Sequence, residues 1–350
     1  MSLRLSILRR FAADPLLQAP QAMTEDQRDH PVVTLIRKRR DERSLPGRRE
    51  DGRRIALVIE GGGMRGAVSA GMTAAIEQLG FTDTFDEVHG ASAGSFNAAF
   101  LIAAQASYLS GLYQHGFGNP RFVSVRRVLR GQSLFNMDYV VNEVWRTQRP
   151  LHTDRILESA IELHCTATDV ETALIVDLTD LRDDREIRTA MLASARLPWL
   201  AGPPVPFRGR MLFDGTLAEG VPVHVPRTTA TDMLVLQTRP HGIAHAGLSS
   251  GVANLTDRYL VKYNPALVEL RRTRSARYDA LIGELSRQAV DPASVPAVCI
   301  IRPPVGSPMI SQMENRASAM ARAAGHGFRA AWMALDGTDP EVLSVPRAFN

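Results

Sequence analysis

Two glycine-rich strings about 30 residues apart, Glu60-Gly61-Gly62-Gly63-Met64-Arg65-Gly66 and Gly90-Ala91-Ser92-Ala93-Gly94, limit the folds open to this chain. Each follows a short apolar run and precedes a stretch with helical spacing, so each marks a sharp strand-to-helix turn. In the second, a G-x-S-x-G, the serine occupies the turn with its hydroxyl projecting into a cleft, and a Cβ at Gly90 or Gly94 would crowd the backbone. The first presents successive backbone N–H groups at a helix start, where unpaired donors and the helix dipole favour developing negative charge. Ser92 is the candidate nucleophile and the triple glycine a candidate oxyanion hole.

The surrounding pattern alternates strand and helix. Ile55 to Ile59 is a continuous apolar run suited to a strand buried on both faces, and Gly66 to Leu79 has helical spacing. Phe85 to His89 predicts the next strand and Ser95 to Ala106 the helix after the serine. His164 to Thr168 with Ala173 to Leu178 predict paired strands, Met233 to Thr238 and Val298 to Ile301 further strands, and Ser311 to Leu335 a closing helix. The expected fold is a three-layer α/β/α sandwich with a mostly parallel central sheet. Residues 53–350 are expected to form one domain. Residues 1–52 read as a basic arm outside the catalytic core, with Arg37-Lys38-Arg39-Arg40 solvated and Val32 to Ile36 in a short amphipathic helix that packs on the domain or touches an anionic membrane. His241 to Gly251 reads as a flexible loop and a candidate lid.

Composition excludes several classes. No apolar run approaches the roughly 18 residues of a membrane span, and the opening basic-apolar stretch lacks the h-region and cleavage site of a signal peptide. Cys165 and Cys299 both fall in strand-like segments, which argues against a disulfide framework or a metal site and for a reducing, cytoplasmic setting. Net charge is only +4, and Lys38 and Lys262 are the only lysines. That arginine skew reads first as genome base composition, although guanidinium forks also suit phosphates. No clustered basic stripe accompanies a nucleic-acid module, so no nucleic-acid partner is expected. No calcium loop is present either.

Gly61-x-Gly63-x-x-Gly66 also satisfies a dinucleotide fingerprint, but such a site needs an acidic residue closing the second strand. Here Asp86 and Glu87 stand at the wrong end of that strand. The serine needs a base, and two kinds compete. Asp214, in Leu212-Phe213-Asp214-Gly215, is a carboxylate delivered to a glycine turn by apolar residues, consistent with the desolvation that makes a carboxylate basic. A histidine from His224, His241, His245 or His326 would instead complete a Ser, Asp, His order. His326, between Gly325 and Gly327, reads as a loop or helix-end residue.

The ordered set Gly61-Gly62-Gly63-Met64-Arg65-Gly66, Gly90-Ala91-Ser92-Ala93-Gly94, Ala193-Ser194-Ala195-Arg196-Leu197-Pro198, and Asp214-Gly215 with Val221-Pro222-Val223 resembles the patatin-like phospholipase family. Glu60 before the glycines is similar to a bacterial subgroup. The resemblance implies a Ser92–Asp214 dyad without a catalytic histidine, an oxyanion hole from the amides of Gly61, Gly62 and Gly63 with Arg65 as a nearby cation, and no cofactor. It implies phospholipids, lysophospholipids or other acyl esters as substrates, with peripheral contact at the inner membrane face. Arg65, Arg196 and Arg208 are candidates to meet a phosphate. Two departures stand out: Thr216 follows Asp214-Gly215 where the family usually has Gly or Ala, and Glu219-Gly220 replaces a frequent asparagine pair. Thr216 is expected to bond back through its hydroxyl toward the Asp214 carboxyl or a backbone group, tuning the base. If these departures spoil the base, the alternative is a catalytically quiet lipid-binding or regulatory protein.

Overall fold

Strand β1 (Ile55–Ile59) is buried on both faces, with Ile55, Leu57 and Ile59 in one hydrophobic core and Ala56 and Val58 in another. That double burial makes it a central strand of an open sheet. The computed structural model describes residues 29–115, 121–240 and 250–340. The sheet further contains β2 (Glu87–Ala91), β3 (Glu162–Asp169), β4 (Ile175–Leu178), β5 (Val205–Phe207), β6 (Arg210–Asp214), β7 (Asp232–Leu236) and β8 (Ala297–Ile301). Its order is β5-β6-β3-β2-β1-β7-β8, with β4 beside β3. Strands β3, β2, β1, β7 and β8 run parallel, β4 and β6 each pair antiparallel with β3, and β5 pairs antiparallel with β6.

The main helices are α1 (Pro31–Asp41), α2 (Gly66–Gln78), α3 (Ala93–Ile102), α4 (Ala106–His115), α5 (Asp184–Ser194), α6 (Ser250–Leu260), α7 (Pro265–Gln288) and α8 (Ala317–Asp336). Helices α2, α3, α4, α5 and α8 contribute to the larger core on one face of the sheet, and α7 covers the other through Tyr278 and Leu285. This is the expected three-layer α/β/α sandwich. The single helix read over 95–106 is two, because Ala104 adopts φ 55° between α3 and α4 and ends the first. Cys165 and Cys299 are buried in β3 and β8 and are not paired.

Part of the basic arm belongs to the body of the domain. Val32, Val33 and Ile36 of α1 are completely buried, so of the two roles read for this helix its apolar stripe takes the first, packing on the domain. Arg39, expected to be solvated, is 1% exposed; it meets Asp51 at 2.7 Å and Asp86 at 2.8 Å. A buried arginine requires such partners, and here they join α1 to the base of β2. Residues 1–28 lie outside the described residues, as do 241–249 of the candidate lid, whose last two positions, Ser250 and Gly251, open α6. Among the described residues no helix is long and apolar enough to cross a membrane.

Candidate active site

The register of β3 brings the nucleophile and its base together. Thr166 pairs with Ala91, the last residue of β2, and the next residue, Ala167, pairs with Asp214, the last of β6. Strand β4 occupies the opposite edge of β3, since Cys165 and Ala167 pair with Leu178 and Val176 as well. Strands β2 and β6 therefore meet end to end on one edge of β3, and Ser92 and Asp214 face each other at the junction. Ser92 Oγ donates to Asp214 Oδ2 at 2.8 Å.

Ser92 holds φ 53° and ψ −123°, a backbone strain typical of functional turns. The glycines around it leave the room this turn needs. A Cβ at Gly90 would collide with the backbone of Gly94, and one at Gly94 with the Ile59 carbonyl oxygen. Ser194, at the end of α5, clamps the turn: its Oγ accepts the Ser92 N–H at 3.0 Å and donates to Thr166 O at 2.7 Å. Replacing Ser194 with alanine leaves that amide unpaired and is expected to lower kcat roughly tenfold, equivalent to about one lost hydrogen bond, with little change in KM for a soluble ester.

Asp214 is fully buried and its carboxyl is pushed above the usual carboxylate range, first by burial and against bonds from Thr216 and Ser92. A raised value makes it a stronger base near neutrality. Its Oδ1 accepts the Thr216 amide at 2.8 Å, and its own N–H donates to Arg196 O at 3.0 Å. The bond from Thr216 to the carboxyl thus comes from the backbone, whereas its hydroxyl accepts from Arg274 Nη2 at 2.9 Å.

The glycine string splits into two parts. Gly62 and Gly63 line the cavity with Ser92 and Asp214, and among the described residues no backbone group accepts from their amides. The Gly61 amide instead donates to Gly220 O at 3.2 Å, and Gly61 packs behind Ser92. This removes Gly61 from the oxyanion donors read in the sequence. Gly63, at φ 58°, adopts the left-handed turn that glycine favours. Arg65 does not line the cavity. It is buried behind Gly62, donates from Nε to Thr238 Oγ1 at 2.9 Å and lies 3.7 Å from Glu60. Burial brings its guanidinium down to about 10, against the attraction of Glu60, so it stays charged at neutral pH. Glu60 in turn accepts from the Thr238 N–H at 2.6 Å and Tyr278 OH at 2.9 Å, which ties the glycine loop to the end of β7 and to α7. Arg65 is accordingly a buried anchor of the loop.

The cavity wall is largely apolar, with Phe96, Tyr113, Phe122, Phe135 and Met137 prominent, and its charged members are Asp214, Arg271 and Arg274. The arginines singled out in the sequence for a phosphate lie elsewhere. Arg196 is paired with Asp138 at 3.0 Å and with Ala201 O, and exposed Arg208 with Glu186 at 2.7 Å. Sequence reading missed α7 altogether, and with it Arg271 and Arg274. The available signal was the spacing of Arg271, Arg274 and Tyr278, three and four residues apart on one helix face.

No histidine lines the cavity among the described residues. His224 is exposed, His326 sits within α8 and not in the expected loop or helix end, and His241 and His245 lie outside the described residues. Beyond the cavity, Glu87, His89 and His164 bring ligand-type atoms within 4.8 Å of one another in a buried cluster on β2 and β3. The two imidazoles are stacked at 4.0 Å and 20°, so their in-plane lone pairs run side by side and do not converge on one ion as zinc ligation at about 2 Å demands. Arg54 already neutralises Glu87 at 2.7 Å, and Asp177 meets His164 at 2.7 Å. The cluster is an ion-pair network and does not suit a metal.

Glu219, the other departure, donates its N–H to Gly215 O at 2.8 Å, and its carboxyl accepts the His224 N–H at 3.4 Å. Burial pushes its carboxyl up to about 7. The folded state therefore holds a proton that the unfolded chain releases near 4.5, and the associated stability is complete below that value and lost as pH rises through 7. Glu219→Gln is expected to be more stable than wild type above pH 7, by on the order of 1–2 kcal/mol, and to lose that advantage in acid. Urea titrations across this range measure it.

A strained serine bonded to a desolvated carboxylate, beside unpaired backbone amides in a doubly wound sheet, is an arrangement suited to nucleophilic acyl transfer. Residues 57–227 match the family model of the patatin-like phospholipases. Over 192 residues the chain is 29% identical to the uncharacterized protein YjjU of Escherichia coli strain K12, covering 53% of this chain and 52% of that protein. The chain thus spans about half the length of this curated relative. Among solved structures it is similar to VipD from Legionella pneumophila, at 14% identity and a TM-score of 0.45, over 81% of this chain and 67% of that one. It is also similar to a chain of the complex of full-length SpcU with full-length ExoU from the type III secretion system of Pseudomonas aeruginosa, at 16% identity and a TM-score of 0.26, over 66% and 53%.

Proposed function

We propose that this protein is a serine lipid acyl hydrolase using a Ser92–Asp214 dyad. The observation that carries the reading is the 2.8 Å bond from Ser92 Oγ to a fully buried Asp214 carboxylate at the wall of an apolar cavity. Asp214 takes the serine proton as Oγ attacks the ester carbonyl. The amides of Gly62 and Gly63 receive the oxyanion, a role in which one donor is worth about 10²- to 10³-fold in rate. Collapse of the tetrahedral intermediate expels the alcohol, which takes its proton from Asp214. Water, deprotonated by the same carboxylate, then releases the acid from the acyl-enzyme. The aromatic wall favours an extended acyl chain, and the residues named require no cofactor for these steps.

Asp214 must be ionised to act, so activity is expected to fall in acid through a pKa above the usual carboxylate range, the direction that burial imposes. The test is hydrolysis of p-nitrophenyl esters of graded chain length together with labelling by a fluorophosphonate. Rates that rise with acyl length, with labelling lost in Ser92→Ala, support the reading. A folded protein that neither labels nor hydrolyses any ester overturns it in favour of a catalytically quiet lipid-binding protein.

A further inference from the structure

The cavity is chemically two-sided. Its apolar side comes from Phe96, Tyr113 and the segment around Phe122 and Phe135, whereas among the described residues its cations come from α7 alone. The two cations differ in what holds them. Arg271 is engaged by Asp257, and Arg272 beside it turns to the same carboxylate. Arg274 has no carboxylate within 4 Å among the described residues, and the bond it makes there is the one from Nη2 to Thr216 Oγ1 at 2.9 Å. It lines the cavity while mostly buried, so its guanidinium is held in place beside the dyad, and burial lowers its pKa against the attraction of Asp214.

Thr216 links the two. Its amide fixes Asp214 Oδ1 at 2.8 Å while its hydroxyl fixes Arg274. Glycine or alanine at this position would leave Arg274 without that hydroxyl. We infer that Arg274, set by Thr216, is a specificity-determining residue that binds an anionic phosphate on the alcohol portion of the substrate. The acyl chain fills the aromatic side, the ester lies at Ser92, and the leaving alcohol emerges toward α7, where a phosphate ester meets a partly desolvated guanidinium in bidentate geometry. Arg271 adds positive potential, but Asp257 offsets its charge. Uncharged esters bind the same cavity without this contact and leave the cation unpaired.

This inference rests on the hydrolase reading, and the test separates the two. Full-length protein is assayed on a 1-acylglycerol-3-phosphate and on the monoacylglycerol of the same chain, in mixed micelles of a neutral detergent. Wild type is expected to prefer the phosphate in kcat/KM by about 10- to 100-fold, the worth of one hydrogen-bonded charge contact. Arg274→Gln is expected to collapse that ratio toward one through KM for the phosphate. Arg274→Lys restores part of it, and Thr216→Val lowers it by a smaller factor. A wild-type ratio near one, or a ratio unchanged in Arg274→Gln while both rates fall together, overturns the inference and assigns Arg274 to support of the Asp214 turn. If neither lipid is hydrolysed, the graded esters and fluorophosphonate labelling decide the hydrolase reading, and calorimetric titration of Ser92→Ala with the same two lipids decides the inference alone. Preferential binding of the phosphate that disappears in Ser92→Ala/Arg274→Gln supports it, and equal binding overturns it. Circular dichroism verifies that each variant is folded.

Discussion

Asp214→Asn is expected to lower kcat for a soluble ester by about 10³-fold, the middle of the range for loss of a positioned base, while raising resistance to urea. The two effects share one cause. The carboxyl is fully buried and its pKa is raised by that burial, so the folded state favours its neutral form. Stability of this kind is present below the unfolded carboxylate value and is lost as pH rises through the folded one. Above the folded value wild type has lost it, and an uncharged asparagine keeps it. Asparagine also retains an Oδ1 to accept the Thr216 amide at 2.8 Å, so the turn is preserved. Ser92→Ala is expected to remove both hydrolysis and fluorophosphonate labelling, and the double variant is expected to be no slower than Ser92→Ala, because two groups acting on one proton do not contribute additively. Stopped assays with purified variants, beside urea curves at pH 5 and pH 8, measure both halves. An Asp214→Asn enzyme retaining a tenth or more of wild-type kcat would point to another base.

Gly71→Ala and Gly327→Ala are each expected to destabilise the fold by about 3 kcal/mol, the upper part of the usual overpacking range. The sign is opposite to the normal helix preference, where alanine gains about 1 kcal/mol over glycine. Helices α2 and α8 cross backbone to backbone. A Cβ on Gly71 would strike the Ala324 carbonyl oxygen, and one on Gly327 would strike that of Val68. Neither contact can be relieved by moving a side chain. Gly283 in α7 is the control, since its nearest neighbour would be the flexible end of Arg287 at 3.7 Å, and Gly283→Ala is expected to be neutral or slightly stabilising. Urea unfolding midpoints at constant m-value separate these outcomes. The crossing also bears on function, because α2 begins at Gly66, directly after the glycine loop that frames the cavity.

The local turns were written in the chain. A strand buried on both faces shows as a continuous apolar run such as Ile55 to Ile59, and the glycines at 61–63, 90 and 94 mark where backbone must turn sharply or approach other backbone closely. These are local signals, carried by neighbours in sequence, and they were sufficient to predict the class of fold and to nominate Ser92 and Asp214. Residues whose meaning depends on distant partners were read less well. Arg39 looked like part of a solvated run until α1 was seen to set it between Asp51 and Asp86. His326, between two glycines, looked like a loop or helix-end residue although 311–335 reads as a helix, whereas here Gly327 lies inside the helix and admits another.

By itself the sequence determined the alternation of strand and helix, the serine turn and the candidate carboxylate, because each depends on backbone conformation over a few adjacent residues. Only the tertiary structure decided which amides face the cavity, that Arg65 is a loop anchor, and that Arg274 stands beside the dyad. Those outcomes depend on the register of β3, which joins the ends of β2 and β6, and on the packing of α7 over Thr216. Hydrogen bonds between residues 58 or 122 positions apart leave no periodicity in a sequence, so their geometry emerges only when the layers close.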